Sequence, residues 1–167
     1  TPGTKFMNKL SQMIKSHFEN NLIMKQKIQK IIVSGSDEVG EGEQKIFKYI
    51  RLMETQTKPK NILVYGLDSD LIMLSIFHCN SQRNIFVFRE EIEFRKSKVD
   101  TSKQAPNELL FIDINGLSES ILKEMGCESM NNERIYDYLF LCFFLGNDFL
   151  PHFPSLNIRT NGIHVLI

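Results

Sequence analysis

Acidic residues in three short segments have the types and spacing best suited to chemistry in this 167-residue sequence. Glu41 and Glu43 stand two positions apart in VGEGEQK, and Asp68 and Asp70 do so in YGLDSDLIML. Asp148 follows an apolar run in FLGNDFLPH. Carboxylates gathered in one site repel one another unless a cation lies between them. The pattern predicts a divalent-metal site with these residues as metal ligands and catalytic groups.

Sites rich in carboxylate oxygens bind hard divalent cations, of which Mg²⁺ is a common example. Mg²⁺ keeps several waters and binds through a few carboxylates together with substrate phosphates. Two such ions about 3.5–4 Å apart activate a water and stabilise the leaving oxygen in phosphodiester cleavage. No side chain then has to act as the general base. The acidic segments therefore favour metal-dependent phosphodiester hydrolysis by a two-metal mechanism.

Each acidic segment also has a simpler interpretation when it is taken alone. A DxD segment after a strand occurs in aspartyl-phosphate phosphatases and in sugar-nucleotide transferases. The phosphatases need Thr or Val two residues after the second Asp, and Ile72 occupies that position. Acidic residues such as Glu41 and Glu43 also offset the dipole at helix starts, and Asp148 is typical of a turn at a helix end. The three segments together favour the metal site.

The carboxylates need rigid elements to position them, and the hydrophobic pattern predicts helices that alternate with strands. Predicted helices cover residues 4–30, with a break near Asn20–Asn21, and residues 43–56, 68–78, 118–125 and 132–146. Predicted strands cover residues 30–34, 59–66, 84–88 and 109–114. The alternation predicts an α/β fold with a mostly parallel central sheet flanked by helices. Since four of the five carboxylates follow strand candidates, we expect the sheet to gather them at one edge.

The length and composition are those of one globular domain, so we expect residues 1–167 to form a single domain. Residues 93–107 are polar and aperiodic, which predicts a mobile surface loop, and the tail from Pro151 is predicted to be irregular. The longest apolar run, Tyr138–Leu145, has eight residues. Because a membrane-spanning helix needs about 20, we expect no membrane partner.

The formal net charge is zero, with 20 basic and 20 acidic residues, whereas nucleic-acid binding domains are usually basic. The charges are unevenly distributed, however. Residues 1–30 contain six Lys and one Glu, and residues 104–167 contain three basic and eight acidic residues. The N-terminal excess is either a solvated helix face or a surface that contacts phosphates.

Cysteine usage predicts a reducing, intracellular compartment. Cys79, Cys127 and Cys142 are odd in number and widely spaced, and the sequence contains no CxxC motif, which argues against a disulfide framework and a zinc site. The first residues, TPGTKFMNKL, contain neither a signal-peptide core nor an initiator Met. We therefore expect the chain to be processed or to be a piece of a longer protein.

Several segments resemble the Xrn/Rat1-type 5′→3′ exoribonucleases, in the family's order and over nearly the whole chain. The matching segments are TPGTKFM at 1–7, KIIVSGSDEVGEGEQKI at 30–46, YGLDSDLIML at 65–74, FREE at 88–91 and DYLFLCFFLGNDFLPHFPSLNIRTNGI at 137–163. Two positions depart from the family's PGEGEHK pattern, because Val39 stands in place of Pro and Gln44 in place of His. All of the acidic positions in these segments are intact.

The resemblance implies a PIN-like, flap-endonuclease-related core in which Glu41, Glu43, Asp68, Asp70 and Asp148 hold Mg²⁺ or Mn²⁺. It implies a 5′-monophosphorylated RNA substrate, degraded to mononucleotides in the cytoplasm or the nucleus. The family's core begins upstream of TPGT, with further metal-binding aspartates and a basic pocket for the 5′-phosphate. We therefore expect this chain to be the C-terminal part of that core. We expect it to need the missing N-terminal part, from the same or a separate chain, and to have little activity alone.

Four further residues have two interpretations each, and so does the whole chain. Lys45 either approaches a phosphate or is a solvated helix lysine, and Arg159 either contacts the RNA backbone or forms a surface salt bridge. We expect Asn147 to shape the turn before Asp148 rather than to contact substrate, and His152 to form a structural hydrogen bond rather than to bind metal. The alternative to a nuclease is a degenerate nuclease-like module that binds RNA or protein without catalysis.

Overall fold

A computed structural model describes residues 3–54, 61–66, 68–79, 83–90, 109–129 and 131–167. The predicted loop at 93–107 lies outside these residues. The chain divides into two compact units, Thr1–Leu52 and Met53–Ile167, which are described in turn. Whether both belong to one domain of a larger protein stays a prediction. No helix in the described ranges is long and apolar enough to cross a membrane.

The first unit contains α1 (Lys5–Asn20), α2 (Leu22–Lys27) and all but the last two residues of α3, which runs from Gly42 to Glu54. The predicted break near Asn20–Asn21 is confirmed. Asn21 adopts an extended conformation, and its side-chain oxygen accepts a hydrogen bond from the Met24 amide at 3.1 Å. Asn favours this capping position because its side chain satisfies an amide that the helix leaves unpaired.

The strand predicted at residues 30–34 is wrong, because these residues form no strand in the structure. Branched side chains favour strands only where a partner strand and a buried face are available. Ile32 is 52% exposed, and the regular elements described in the first unit are all helices. Glu41 and Glu43 therefore do not follow a strand, and the argument from a shared sheet edge does not apply to them.

The second unit is built on a sheet in the order β1 (Asn61–Tyr65), β2 (Asn84–Glu90) and β3 (Leu109–Asp113). β1 pairs with β2 in parallel, with Ile62 opposite Ile85, whereas β3 pairs with β2 in antiparallel orientation, with Phe88 opposite Phe111. The predicted α/β class is confirmed. The described sheet is mixed rather than mostly parallel because β3 reverses direction.

Three helices of the second unit enclose its core: α4 (Asp70–His78), α5 (Ile114–Glu124) and α6 (Asn132–Cys142). They pack against one another, and α4 and α5 also pack on β2. The buried apolar side chains of this unit are Val64, Leu71, Ile76, Cys79, Ile85, Val87, Ile114, Ile121, Leu122, Ile135 and Leu139. Full burial of each Leu or Ile contributes about 1.5–3 kcal/mol, so this core holds α4 firmly against the sheet.

The opposite face of the sheet carries apolar side chains that remain accessible. Leu63, Tyr65 and Phe111 are 61%, 54% and 54% exposed. The register places them on the face opposite to Val64 and Val87, because successive strand residues alternate in direction. Within the described residues, the sheet thus buries Val64 and Val87 on one face and leaves aromatic rings accessible on the other.

The boundaries of α5 and α6 differ from their predicted positions for local reasons. α5 begins at Ile114 because the Asp113 carboxylate accepts hydrogen bonds from the amides of Asn115 and Gly116 at 3.1 and 3.2 Å. The predicted helix at 132–146 ends as an α-helix at Cys142 and continues as a 3-10 helix over Phe143–Leu145. A second 3-10 helix (Ile158–Thr160) and α7 (Gly162–Leu166) follow in the tail.

Candidate metal-ligating carboxylates

Asp68 and Asp70 lie where the chain passes from β1 into α4, as the sequence predicts. The Gly66 amide donates to the Phe88 carbonyl at 3.2 Å, which extends the parallel pairing one residue beyond β1. A Cβ at Gly66 would overlap with the side chain of Leu71, so glycine lets the first turn of α4 approach the strand end closely. Because Leu71 is buried, core packing sets the position of the helix turn that begins with Asp70.

The two aspartates of this pair face the start of α4 in different ways. Asp68 is exposed, and its Oδ1 lies 3.5 Å from the Asp70 amide, which is long for a hydrogen bond. Asp70 is half-buried in the first turn of the helix. Carboxylates are favoured at a helix start by the dipole. This contact leaves most of the Asp68 carboxylate accessible to a ligand.

Asp148 lies in a turn that its neighbour Asn147 holds in place. The Asn147 side-chain oxygen accepts hydrogen bonds from the amides of Phe149 and Leu150 at 2.9 and 2.7 Å, and the Asn147 amide donates to the Leu150 carbonyl at 2.9 Å. Asn147 therefore shapes the turn in the way predicted. Asp148 is exposed at its tip.

The chain before and after this turn is fixed by Gly146 and His152. Gly146 has φ 86° and ψ 158°, and a Cβ there would lie 2.7 Å from the main-chain nitrogen of His152. The imidazole Nδ1 of His152 lies 3.0 Å from the Phe153 carbonyl oxygen, and the Phe153 amide donates to Phe144 at 2.8 Å. These contacts agree with the structural hydrogen bond predicted for His152.

Glu41 and Glu43 lie at the start of α3 in the first unit. The Glu41 carbonyl accepts the amide of Lys45 at 3.1 Å, and Glu43 lies in the first turn of the helix. Glu41 is exposed and Glu43 is half-buried. Their placement at a helix start matches the simpler interpretation of this pair, and their predicted role as metal ligands stays a prediction.

Lys45 and Arg159, the predicted substrate contacts, have different surroundings. The Lys45 ammonium donates a hydrogen bond to the Gly35 carbonyl at 2.8 Å, a structural contact that neither interpretation anticipates. Arg159 is exposed, and its main-chain amide donates to the Asn157 side chain at 2.9 Å. Its guanidinium forms no ion pair with the acidic side chains that the structure describes. An RNA contact stays a prediction for both residues.

Asp68 and Asp70 lie close together, with Asp68 Oδ1 3.5 Å from the Asp70 amide nitrogen. The described residues contain no group of three or more His, Cys, Asp or Glu side chains that is arranged to hold a metal ion. Asp68 and Asp70 nevertheless supply the right donors, because Mg²⁺ takes oxygen ligands from a few carboxylates and fills its remaining positions with water and phosphate. The pair therefore fits part of a metal site.

An ionic contact between α1 and the loop before Glu41 was missed by the sequence analysis. Asp37 accepts hydrogen bonds from the Ser11 hydroxyl and the Lys15 ammonium, both at 2.6 Å. The hydrogen bond from Lys15 is the main reason that the pKa of Asp37 falls to about 2. In the sequence, the four-residue spacing of Ser11 and Lys15 places both on one helix face. That spacing does not identify Asp37 as their partner, because Asp37 lies 26 residues after Ser11.

Comparisons with known proteins match most of the chain to one family. The family model described as the XRN 5′-3′ exonuclease N-terminus matches residues 1–91, and the model described as the Xrn1 helical domain matches residues 129–167. The 5′-3′ exoribonuclease 2 of Candida albicans is 34% identical over 190 residues, which cover 100% of this chain and 20% of that protein. The enzyme of the same name from Kluyveromyces lactis is 32% identical over 194 residues, or 100% and 19%.

A relative of a second type shows similar identity. The 5′-3′ exoribonuclease 1 of Schizosaccharomyces pombe is 33% identical over 183 residues, which cover 99% of this chain and 13% of that protein. The chain thus spans about a fifth or less of the length of these relatives. The first family model alone covers more than half of the chain, which confirms the resemblance seen in the sequence. This chain belongs to the XRN 5′-3′ exonuclease family.

Proposed function

We propose that the protein to which this chain contributes is a divalent-metal-dependent 5′→3′ exoribonuclease. Its substrate is RNA with a 5′-monophosphate, which it hydrolyses to mononucleotides. The observation that supports this most is the position of Asp68 and Asp70 at the carboxyl end of β1, in a chain of the XRN family. Ligands of α/β proteins bind beyond the carboxyl ends of strands, so the pair lies where a catalytic site is expected.

Five carboxylates of this chain would hold the metal in this proposal: Glu41, Glu43, Asp68, Asp70 and Asp148. When bound, two Mg²⁺ or Mn²⁺ ions supply Lewis-acid activation of the attacking water and charge stabilisation at the leaving oxygen. The buried Leu71 holds α4 close to the strand end, and the Asn147 turn holds the backbone of Asp148. Both arrangements fix ligand positions before substrate arrives, which is what a metal site requires of its supporting residues.

The substrate side of the proposal needs groups beyond these carboxylates. Arg159 is exposed and would contact an RNA phosphate in this proposal. Lys45 has two further N–H donors besides the one directed at Gly35. The chain spans about a fifth of its relatives, and in this proposal it is the C-terminal part of the nuclease core. The remaining N-terminal part of the core supplies the other aspartates and the 5′-phosphate pocket.

The test compares the protein that contains this chain together with the rest of the core against the 167-residue chain alone. With Mg²⁺, the complete protein should degrade 5′-phosphorylated RNA and leave 5′-hydroxyl RNA intact, and Asp68→Asn or Asp148→Asn should abolish the activity. The chain alone should be nearly inactive. Equal cleavage of both RNAs, or full activity of either variant, would contradict the proposed function.

A degenerate module that binds RNA or protein without catalysis remains a second candidate. The observation in its favour is that the chain spans about a fifth of the length of its relatives, so it holds only part of the proposed site. Titration of the complete protein with Mn²⁺ separates the two candidates. Binding that Asp68→Asn and Asp148→Asn both weaken supports the nuclease, whereas binding of RNA without any carboxylate-dependent metal binding supports the module.

A further inference from the structure

We propose that Asp37, held by Ser11 and Lys15, positions the metal-binding segment Glu41–Glu43. Ser11, Lys15 and Asp37 together form the loop anchor. The anchor ties α1 to the loop that leads into α3, and it acts on the carboxylates only through the backbone. The inference rests on the proposed function, because it concerns the same carboxylates.

The side chains of the loop anchor satisfy both oxygens of Asp37. The Ser11 hydroxyl donates to Oδ1, and the Lys15 ammonium donates to Oδ2, each at 2.6 Å. Ser11 is only 6% exposed, although it is polar and lies on a surface helix. Short hydrogen bonds to an ionised carboxylate are stronger than those between neutral groups. Asp37 is therefore fixed at two atoms.

Gly35 allows the loop backbone to lie directly against α1. A Cβ at this position would overlap with the Ser11 hydroxyl and would lie 2.7 Å from Asp37 Oδ1. Ser11 and Asp37 thus fill the space that a side chain at position 35 would need. This contact adds a steric constraint to the two hydrogen bonds.

The same glycine connects the loop to α3 through its carbonyl oxygen. The Gly35 carbonyl accepts hydrogen bonds from the Lys45 ammonium at 2.8 Å and from the Glu38 amide at 3.2 Å. Lys45 lies two residues after Glu43 on the helix that carries it. The loop is therefore bonded to α1 on one side and to the first turns of α3 on the other.

The residues between the loop anchor and Glu41 provide little packing of their own. Val39 is fully exposed at 101%, and Gly40 has φ 104°, a conformation that favours glycine. Glu38 receives a hydrogen bond from the Ser34 hydroxyl at 2.6 Å and approaches Lys15 at 3.7 Å. Since exposed residues cannot fix this stretch by burial, the hydrogen bonds on either side of it contribute to the position of Glu41.

The proposal predicts that breaking the loop anchor loosens residues 39–45 and weakens metal binding without unfolding the chain. Loss of a residue that orients a metal ligand commonly lowers metal affinity by about 10-fold or more. We therefore expect Lys15→Met and Asp37→Asn to raise the Mn²⁺ dissociation constant about 10-fold. Lys15→Arg keeps the charged donor and should retain most of the affinity.

The experiment uses two readouts on the complete protein that contains this chain together with the rest of the core. Hydrogen–deuterium exchange of the metal-free protein follows the amides of residues 39–45, and electron paramagnetic resonance follows the binding of Mn²⁺ alone. Lys25→Met is the matched control, because Lys25 is an exposed lysine of the neighbouring helix α2 and the substitution removes the same charge. Thermal unfolding confirms that every variant folds.

The two readouts separate failure of this inference from failure of the proposed function. Faster exchange and weaker Mn²⁺ binding in Lys15→Met and Asp37→Asn, with Lys25→Met and Lys15→Arg unchanged, support the loop anchor. Unchanged exchange overturns it, and so does faster exchange with unchanged Mn²⁺ affinity. If the unmodified complete protein binds no Mn²⁺, the proposed function fails, and the exchange result alone decides for or against the loop anchor.

Discussion

The Oδ1 atom of Asp68 lies 3.5 Å from the backbone nitrogen of Asp70. The first residue of the pair thus faces the start of the helix that begins with the second. This relationship allows the structural and metal-binding roles of the pair to be measured separately. A weak contact at a helix start has a small effect on stability, whereas a metal ligand has a large effect on metal affinity.

The substitution Asp68→Asn should therefore affect metal binding far more than stability. The contact is long, and a carboxylate near a helix start is worth about 0.3–1 kcal/mol, so the free energy of unfolding should fall by less than about 1 kcal/mol. Mn²⁺ affinity should fall about 10-fold or more, as is expected on loss of a ligand. Chemical denaturation and a Mn²⁺ titration of the same preparation give both values. A larger loss of stability than of metal-binding free energy would assign Asp68 to the helix start.

The substitution Asn147→Ala should loosen the turn that carries Asp148. It removes an acceptor of two hydrogen bonds, from Phe149 and Leu150, and each neutral bond contributes about 0.5–1.5 kcal/mol. We expect the free energy of unfolding to fall by about 1–2 kcal/mol in urea denaturation. Asn147→Asp keeps the accepting oxygen and is the matched control. Equal losses in the two variants would show that the acceptor does not hold the turn.

The substitution Gly146→Ala should destabilise the chain more than Gly126→Ala. Both glycines have positive φ, 86° at Gly146 and 75° at Gly126. A Cβ at Gly126 would meet open space, whereas a Cβ at Gly146 would lie 2.7 Å from the main-chain nitrogen of His152. Backbone strain of this type costs about 1–3 kcal/mol, and the close approach adds to it only at Gly146. Thermal unfolding of the two variants measures the combined effect of the Gly146 backbone conformation, with ψ 158°, and of the contact with His152, and equal melting temperatures would argue against both.

The free energy of unfolding of the first unit should fall as the pH is lowered from about 4 to about 2. The hydrogen bond from Lys15 lowers the pKa of Asp37 from 3.8 to about 2. A carboxyl group with a lowered folded-state pKa contributes stability above its unfolded pKa, and this contribution is lost as pH falls through the folded value. Unfolding curves at pH 5, 4, 3 and 2 should therefore show a decline that is smaller in Asp37→Asn. Parallel pH profiles of the two proteins would contradict this prediction.

The parts of the fold that could be predicted from the sequence are those in which local signals agree. β1 begins after a proline-containing segment and ends before Gly66, and Asn21 separates α1 from α2 by capping the second helix. The position of Asp68 and Asp70 followed from β1 and α4 together. Each of these features depends on neighbours only a few residues away.

The features that were missed depend on contacts between distant parts of the chain. The segment at 30–34 has strand-like composition but no strand conformation, because a strand also needs a partner. The antiparallel direction of β3 depends on how the chain returns to the sheet, which hydrophobic periodicity does not encode. Asp37 lies 26 residues from Ser11, and nothing in the spacing of either residue identifies the other. The helix start at Asp113 was missed because the preceding strand pattern, LLFIDI, obscured its capping role.

The close approach of Leu71 to Gly66 has a consequence for how this segment tolerates mutation. A methyl group at position 66 would overlap with the Leu71 side chain. Gly66→Ala should therefore destabilise the unmodified protein strongly, and its added effect should be much smaller in a protein that already carries Leu71→Ala. The two positions should therefore show positive epistasis in a pairwise mutational scan. The volume of the Leu71 side chain, just after the acidic pair, thus determines which substitutions Gly66, just before the pair, can tolerate.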